Sequence, residues 1–132
     1  MHETAIHVRW GELDPYDHVN HTAYLGYLEH ARVMALDAIG WSMSRLRDAG
    51  YQVVVVSVDV RFRRPATGGD ELIVRTGVEE IRAASSIWHQ QITRDDEVLV
   101  EATVHAASTD LDGRPVRTPE EFRLALTAFR QA

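Results

Sequence analysis

Between Thr22 and Ile39 the apolar residues Tyr24, Tyr27, Leu28, Ala31, Ala35, Leu36 and Ile39 recur at three- and four-residue spacing, the pattern of one helix of about five turns. Gly40 supplies its stop. A long helix with a broad apolar stripe must bury it against another element, and the rest of the chain offers mostly strands. Thr4–Trp10 alternates, with Ile6, Val8 and Trp10 on its apolar face; Gln52–Arg63, Glu71–Glu80, Ala84–Arg94 and Glu97–Thr109 alternate too and are rich in β-branched residues. Turn signals separate them at Pro65–Asp70 and Asp95–Asp96. The pattern predicts an α+β fold in which a five-stranded antiparallel sheet curls around a single helix. Two short helices complete it. One spans Ser42–Ala49 and ends at Gly50. The other is C-terminal, with Thr118 as N-cap, Pro119 in the first turn and Glu121 closing a capping box, and it buries Phe122, Leu126 and Phe129. No linker, repeat or low-complexity tract divides residues 1–132, so one domain is expected.

Composition removes several function classes. The chain has no cysteine, which excludes disulfides, thiolate metal sites and a cysteine nucleophile. All 14 basic residues are arginine, so Schiff-base chemistry and a lysine-bearing phosphate loop are excluded as well. A net charge of −6 argues against general nucleic-acid binding. The longest apolar runs, Val33–Leu36 and Val53–Val56, are far shorter than the roughly 18 residues of a membrane span. The opening Met1-His2-Glu3-Thr4 has no basic region leading into an apolar core, so a cytoplasmic location is expected.

Titratable residues concentrate in Gly11–Tyr24, between the first strand and the long helix. Asn20, His21 or Thr22 caps that helix, leaving first-turn amides and a partial positive charge able to stabilise an oxyanion. Asp14 lies seven residues before His21 in a proline-containing turn, close enough for the chain to fold back. A carboxylate beside oxyanion donors is a minimal acyl-transfer site; the same residue types also serve as plain caps and turn formers. His18 and His21 with Asp14 and Asp17 have the composition of a metal site, but the loop lacks the regular spacing that converges ligands, and no metal is expected. His18 orders the loop by hydrogen bonding in this reading. Arg61, Arg63 and Arg64 form the densest arginine group and suit phosphate recognition, with alternation placing Arg61 and Arg63 on one face and Phe62 and Arg64 on the other.

The run Val8-Arg9-Trp10-Gly11-Glu12-Leu13-Asp14-Pro15, then His18-Val19-Asn20-His21, Tyr24-Leu25, Tyr27-Leu28-Glu29 and Ala31-Arg32, resembles the N-terminal signature of hotdog-fold acyl-CoA thioesterases of the 4-hydroxybenzoyl-CoA thioesterase type. Val60–Ala66 and Gly69-Asp70 resemble that family's strand-to-turn segment after the helix. The resemblance implies a hotdog fold and hydrolysis of a thioester to a carboxylic acid and free coenzyme A. It makes Asp14 the nucleophile or general base and the backbone N–H of His21 the oxyanion donor, with no metal or redox cofactor. Coenzyme A enters as part of the substrate. Where the family often has glycine before His-Val-Asn, this chain has Asp17.

In another branch of the superfamily the catalytic carboxylate is a glutamate on the long helix, which Glu29 resembles. Glu29 lies eight residues beyond His21, about 12 Å along the axis, so it would act across a subunit interface; its other reading is an ion pair with Arg32. Family position adds Arg82, Ser85 and Ser86 as substrate contacts, while Tyr24, Tyr27, Leu28 and Trp41 line an acyl or aryl pocket or simply form core. Active sites at the interface of a homodimer or homotetramer are implied, and five strands on one helix leave edges that oligomerisation covers. Two other functions fit the same scaffold, a non-catalytic acyl-CoA binding domain and an enoyl-CoA hydratase or dehydratase using Asp14 with His18.

Overall fold

The computed structural model describes residues 1–130. The single long helix, α1 (His21–Ala38), buries Tyr24, Tyr27, Leu28, Ala31, Ala35 and Leu36, the stripe the sequence predicts. It ends at Ile39, and Gly40 follows with φ +81°, a backbone state that costs glycine little. The short α2 (Met43–Asp48) is capped by the Ser42 hydroxyl, which accepts from the Arg45 amide. Around α1 curls one five-stranded antiparallel sheet built from β1 (His2–His7), β2 (Tyr51–Phe62), β3 (Glu71–Ile81), β4 (Ser85–Arg94) and β5 (Glu97–Asp110). Its order is β1-β3-β4-β5-β2, so β1 and β2 form the two edges. This is the hotdog arrangement that the motifs imply.

Core side chains from the three central strands meet the helix stripe. Val74 faces Ile92 across the β3–β4 pair and Trp88 faces Val104 across β4–β5, all four at most 1% exposed. Burying such side chains stabilises by about 1.5–3 kcal/mol each. One buried polar group ties the layers together. Gln90, fully buried in β4, donates from Nε2 to the Leu28 carbonyl of α1 (3.0 Å) and to Thr76 Oγ1 of β3 (3.0 Å), while its Oε1 accepts from Arg32 Nη1 (2.9 Å).

Three local expectations are corrected. Trp10 is not on the inner face of the first strand. β1 stops pairing at His7, Val8 finishes the inward alternation at 0% exposure, and Trp10 opens a single 3-10 turn (Trp10–Glu12) with 72% of its surface exposed. Its indole lies over Gly68, where an added Cβ would sit 2.5 Å from the ring. Thr118 does not cap the last helix, because its hydroxyl is buried against Ser108 Oγ (2.7 Å). The helix α3 (Glu120–Leu126) therefore starts from Pro119 with no side-chain cap, and still buries Phe122 and Leu126, with Phe129 in the turn beyond. Third, β2 is not half-buried by alternation: Val54, Val55, Val56 and Val58 are 37–59% exposed, since this edge strand runs past the helix and carries a register shift between Val55 and Ser57. Among the described residues its outer edge has no partner.

Candidate active site

The loop after β1 folds back on itself. The Asp17 amide donates to the Asp14 carbonyl (3.1 Å) and the Asp14 amide to the His18 carbonyl (2.7 Å), closing a tight turn in which Asp17 takes φ +62°. That left-handed state is cheapest for glycine and tolerable for aspartate, which accounts for Asp17 at the place where the resembling family often carries glycine. Inside the turn, Asp14 Oδ1 accepts from the amides of Tyr16 (2.8 Å) and His18 (3.1 Å). The carboxylate is thereby fixed by one oxygen, and Oδ2 has no partner among the described residues.

Two neighbours hold this loop in place. The Val19 amide donates to the Ala66 carbonyl (2.8 Å), and the Tyr24 hydroxyl, buried in α1, accepts from the Ala66 amide (3.0 Å). Burial pushes the Tyr24 phenol up, so it stays protonated at ordinary pH. On the other side Glu12, which the sequence reading does not single out, gathers the loop's ends. Its Oε1 accepts from the Arg9 amide (2.9 Å) and the Tyr27 hydroxyl (2.7 Å), its Oε2 meets Arg9 Nη2 (3.1 Å), and its carbonyl accepts from the Asn20 amide (2.8 Å). Burial alone would raise the Glu12 carboxyl, but these donors outweigh it and hold the group below its ordinary value. Asp70 does the same for the following turn: burial opposes ionisation, yet the Thr67 amide and Arg94 guanidinium (2.9 and 2.7 Å) keep it below the usual carboxylate range.

Asn20 caps α1, its Oδ1 accepting from the Thr22 amide (3.0 Å) and its carbonyl from the Ala23 amide (2.9 Å). The His21 amide is left without an acceptor among the described residues, at the positive end of the helix. A cleft of about 280 Å³ opens here, lined by Asp14, His18, His21, Tyr24, Arg63 and Arg64. The His21 and Phe62 rings meet there with centroids 4.8 Å apart and planes tilted by 33°. Arg63 and Arg64 line the same cleft, contrary to the expected alternation. Both of their amides bond to the Leu99 carbonyl (2.8 and 3.1 Å), so the strand pleat is lost just beyond Phe62 and the two side chains come round to one side. Both are paired, Arg63 with Glu101 (2.6 Å) and Arg64 with Glu97 (3.3 Å), and both pairs are partly exposed.

The other sequence candidates sit elsewhere. Arg61 pairs with Asp59 (3.0 Å). Ser86 is buried and accepts from Trp88 Nε1 (2.9 Å); it and Ser85 lie beside α3. Tyr27 faces a separate cleft between β1 and α1. Glu29 makes no ion pair with Arg32, which turns inward to Gln90.

Residues 8–126 match the family described as the thioesterase-like superfamily. The chain belongs to that family. Its relatives include the long-chain acyl-CoA thioesterase FadM of Escherichia coli, 33% identical over 114 residues that make up 83% of each chain. A chloroplastic acyl-acyl carrier protein thioesterase of Arabidopsis thaliana, ATL3, is 28% identical over 131 residues, 98% of this chain and 69% of that one. The chain spans about two thirds of the length of the two chloroplast relatives it matches. The crystal structure of a hypothetical protein from Thermus thermophilus superposes with a TM-score of 0.91 at 30% identity, covering 97% of this chain and 98% of that one. Membership places this hotdog domain among the thioester hydrolases, and no helix among its described residues is long and apolar enough to cross a membrane.

Proposed function

We propose that this thioesterase-like chain hydrolyses acyl-CoA thioesters to a carboxylic acid and free coenzyme A at the cleft between the Asp14 loop and the start of α1. The observation that carries the reading is the grouping of a fixed carboxylate with one free oxygen, an amide without an acceptor at a helix N-terminus, and two arginines in one cleft. The thioester carbonyl oxygen points at the His21 amide. Asp14 Oδ2 takes a proton from water as the water oxygen bonds to the carbonyl carbon, and the negative charge on the tetrahedral intermediate's oxygen is held by that amide and the helix end. As the carbonyl re-forms, the C–S bond breaks. The thiolate leaves and takes up the proton held by Asp14; thiols ionise near pH 8.5, so this leaving group needs little help. Direct attack by Oδ2 through an acyl-aspartyl anhydride uses the same oxygen; ¹⁸O found in Asp14 after a single turnover in ¹⁸O-water identifies that route, with water opening the anhydride at the aspartyl carbon.

Arg63 and Arg64 receive coenzyme A phosphates in this reading, and Tyr24 and Phe62 border the acyl end. The chain acts as a homodimer or homotetramer, supported by the exposed valines on the unpaired edge of β2; a monomeric mass in solution rejects that. The decisive experiment is thiol release from a panel of aliphatic and aromatic acyl-CoA esters with wild type and Asp14→Asn side by side. Loss of the base is expected to cost about 10²–10⁴-fold in kcat with the fold retained by circular dichroism. Equal turnover by the variant rejects the assignment.

A further inference from the structure

Of the three tryptophans, Trp41 and Trp88 are core, at 5% and 1% exposure, whereas Trp10 is exposed and yet fixed in place. A Cβ added at Gly68 would lie 2.5 Å from both Cε3 and Cζ3 of the Trp10 indole, and one at Gly69 would lie 4.0 Å from Cζ2 on the far side of the ring. The six-membered ring therefore lies across these two glycines. Gly69 has φ +82°, but Gly68 has no positive φ, so what its missing side chain provides is room for the ring. The seat beneath is braced. The Thr67 amide and hydroxyl donate to Asp70 Oδ2 (2.9 and 3.2 Å), Arg94 Nη1 donates to the same oxygen (2.7 Å), and the Gly69 amide donates to the Val8 carbonyl (3.2 Å). A flat aromatic surface already held still loses little freedom when another ring stacks on it.

The turn that carries this seat starts in the Asp14 cleft. Arg63, Arg64 and Pro65 line the cleft, and Gly68 follows Pro65 by three residues, at most about 11 Å of extended chain. Thr67, between them, pairs with His18, another wall of the cleft. The seat is not on the strand edge through which copies of the chain meet in the proposed assembly, since Trp10 follows β1 and β2 forms the opposite edge of the sheet. We propose that Trp10 is the platform on which the adenine of coenzyme A stacks. This rests on reading the cleft as an acyl-CoA site: the thioester lies at Asp14, the phosphates at Arg63 and Arg64, and the nucleotide passes over Pro65 to lay its base on the open face of the indole. The occupant follows from position and shape. The acyl group sits at the other end of the coenzyme, and a purine is a flat ring system of the indole's own size.

The test is fluorescence and calorimetry of the whole protein in its solution assembly. Acrylamide is expected to quench the Trp10 emission. Coenzyme A and adenosine 3′,5′-bisphosphate, which has the nucleotide without the thiol arm, are expected to quench it saturably, whereas pantetheine, which lacks the nucleotide, leaves it unchanged. Trp10→Ala loses the saturable quench and weakens coenzyme A about tenfold by calorimetry, the loss of one base stack, and Trp10→Tyr recovers most of that affinity. In turnover, KM for decanoyl-CoA rises by the same factor in Trp10→Ala while kcat holds, and KM for decanoyl-pantetheine stays as in wild type. A merely structural tryptophan would move both esters alike. Gly68→Ala, which lifts the ring from its seat without removing it, weakens coenzyme A at least about threefold. The proposal is overturned if acrylamide does not reach Trp10 in the assembly, if coenzyme A gives no saturable quench, or if natively melting Trp10→Ala binds coenzyme A as wild type does or shifts both esters equally. Quenching and binding need no turnover, so a protein that binds coenzyme A through Trp10 but hydrolyses no ester refutes the hydrolytic reading alone, and one that hydrolyses without the quench refutes the platform alone.

Discussion

Replacing Tyr27 by phenylalanine removes one oxygen from a well-packed position and isolates the role of Glu12. Tyr27 is 5% exposed and donates to Glu12 Oε1 at 2.7 Å; the ring itself fits unchanged. A hydrogen bond to an ionised acceptor contributes about 1.5–3 kcal/mol. Glu12 keeps the Arg9 amide and guanidinium, which places the loss in the lower half of that range. For a domain of this size about 4 °C of Tm accompanies each kcal/mol, so a fall of about 6–8 °C is expected at pH 7 by differential scanning calorimetry. The pH dependence provides the sharper check. Glu12 is held below its ordinary value of 4.5 in the folded protein, so the stabilisation is complete above that value and is lost as pH falls through the depressed folded value. Burial, and then the Glu12 bond, push the Tyr27 phenol up, so only the carboxylate titrates in this window. The gap between wild type and variant should therefore be full at pH 6–7 and narrow toward pH 3. A gap under about 1 °C at pH 7, or one of constant size down to pH 3, refutes the charged hydrogen bond as the element that holds the loop.

Two further substitutions probe the same architecture. Tyr24→Phe strips the Ala66 amide of its acceptor and is expected to cost about 1–3 kcal/mol in urea denaturation; because Ala66 follows the segment carrying Arg63 and Arg64, KM for acyl-CoA should rise more than kcat falls, and an unchanged KM tells against that coupling. Asp17→Gly relieves the left-handed backbone at φ +62° and is expected to be neutral or to stabilise by up to about 1 kcal/mol. A loss above 1 kcal/mol shows that the Asp17 side chain contributes something its conformation does not reveal.

What the sequence discloses and withholds divides along the range of the interactions. The stripe of α1, a cap among Asn20, His21 and Thr22, and the alternation of the central strands are local, readable from three or four neighbours, and so are the glycine stops. Trp10 is misjudged because alternation continues through it in the sequence, whereas pairing ends where β3 begins, at the Glu71 opposite His7. Thr118 is a good local cap that a distant Ser108 claims first. The same holds within the cleft. Nothing near Arg63 and Arg64 announces that both amides fall on the Leu99 carbonyl, 35 or more residues away. Glu12 is hidden because its partner Tyr27 lies 15 residues on, across the helix entrance. Asp14 and the helix terminus at His21 are the part of the candidate site that motif and spacing bring forward.

The strand order also sets a schedule for synthesis. β1 waits for β3, and β2, made directly after the helices, has only β5 to pair with, the last strand to leave the ribosome. Until residues 97–110 emerge, the nascent chain carries a finished apolar helix and a valine-rich strand with no neighbour for either edge. Such distant pairings fold slowly, and incomplete chains expose what the native sheet covers. Truncation ahead of Glu97 removes the one strand that pairs with β2 among the described residues, so the sheet closes only when the last strand has been made.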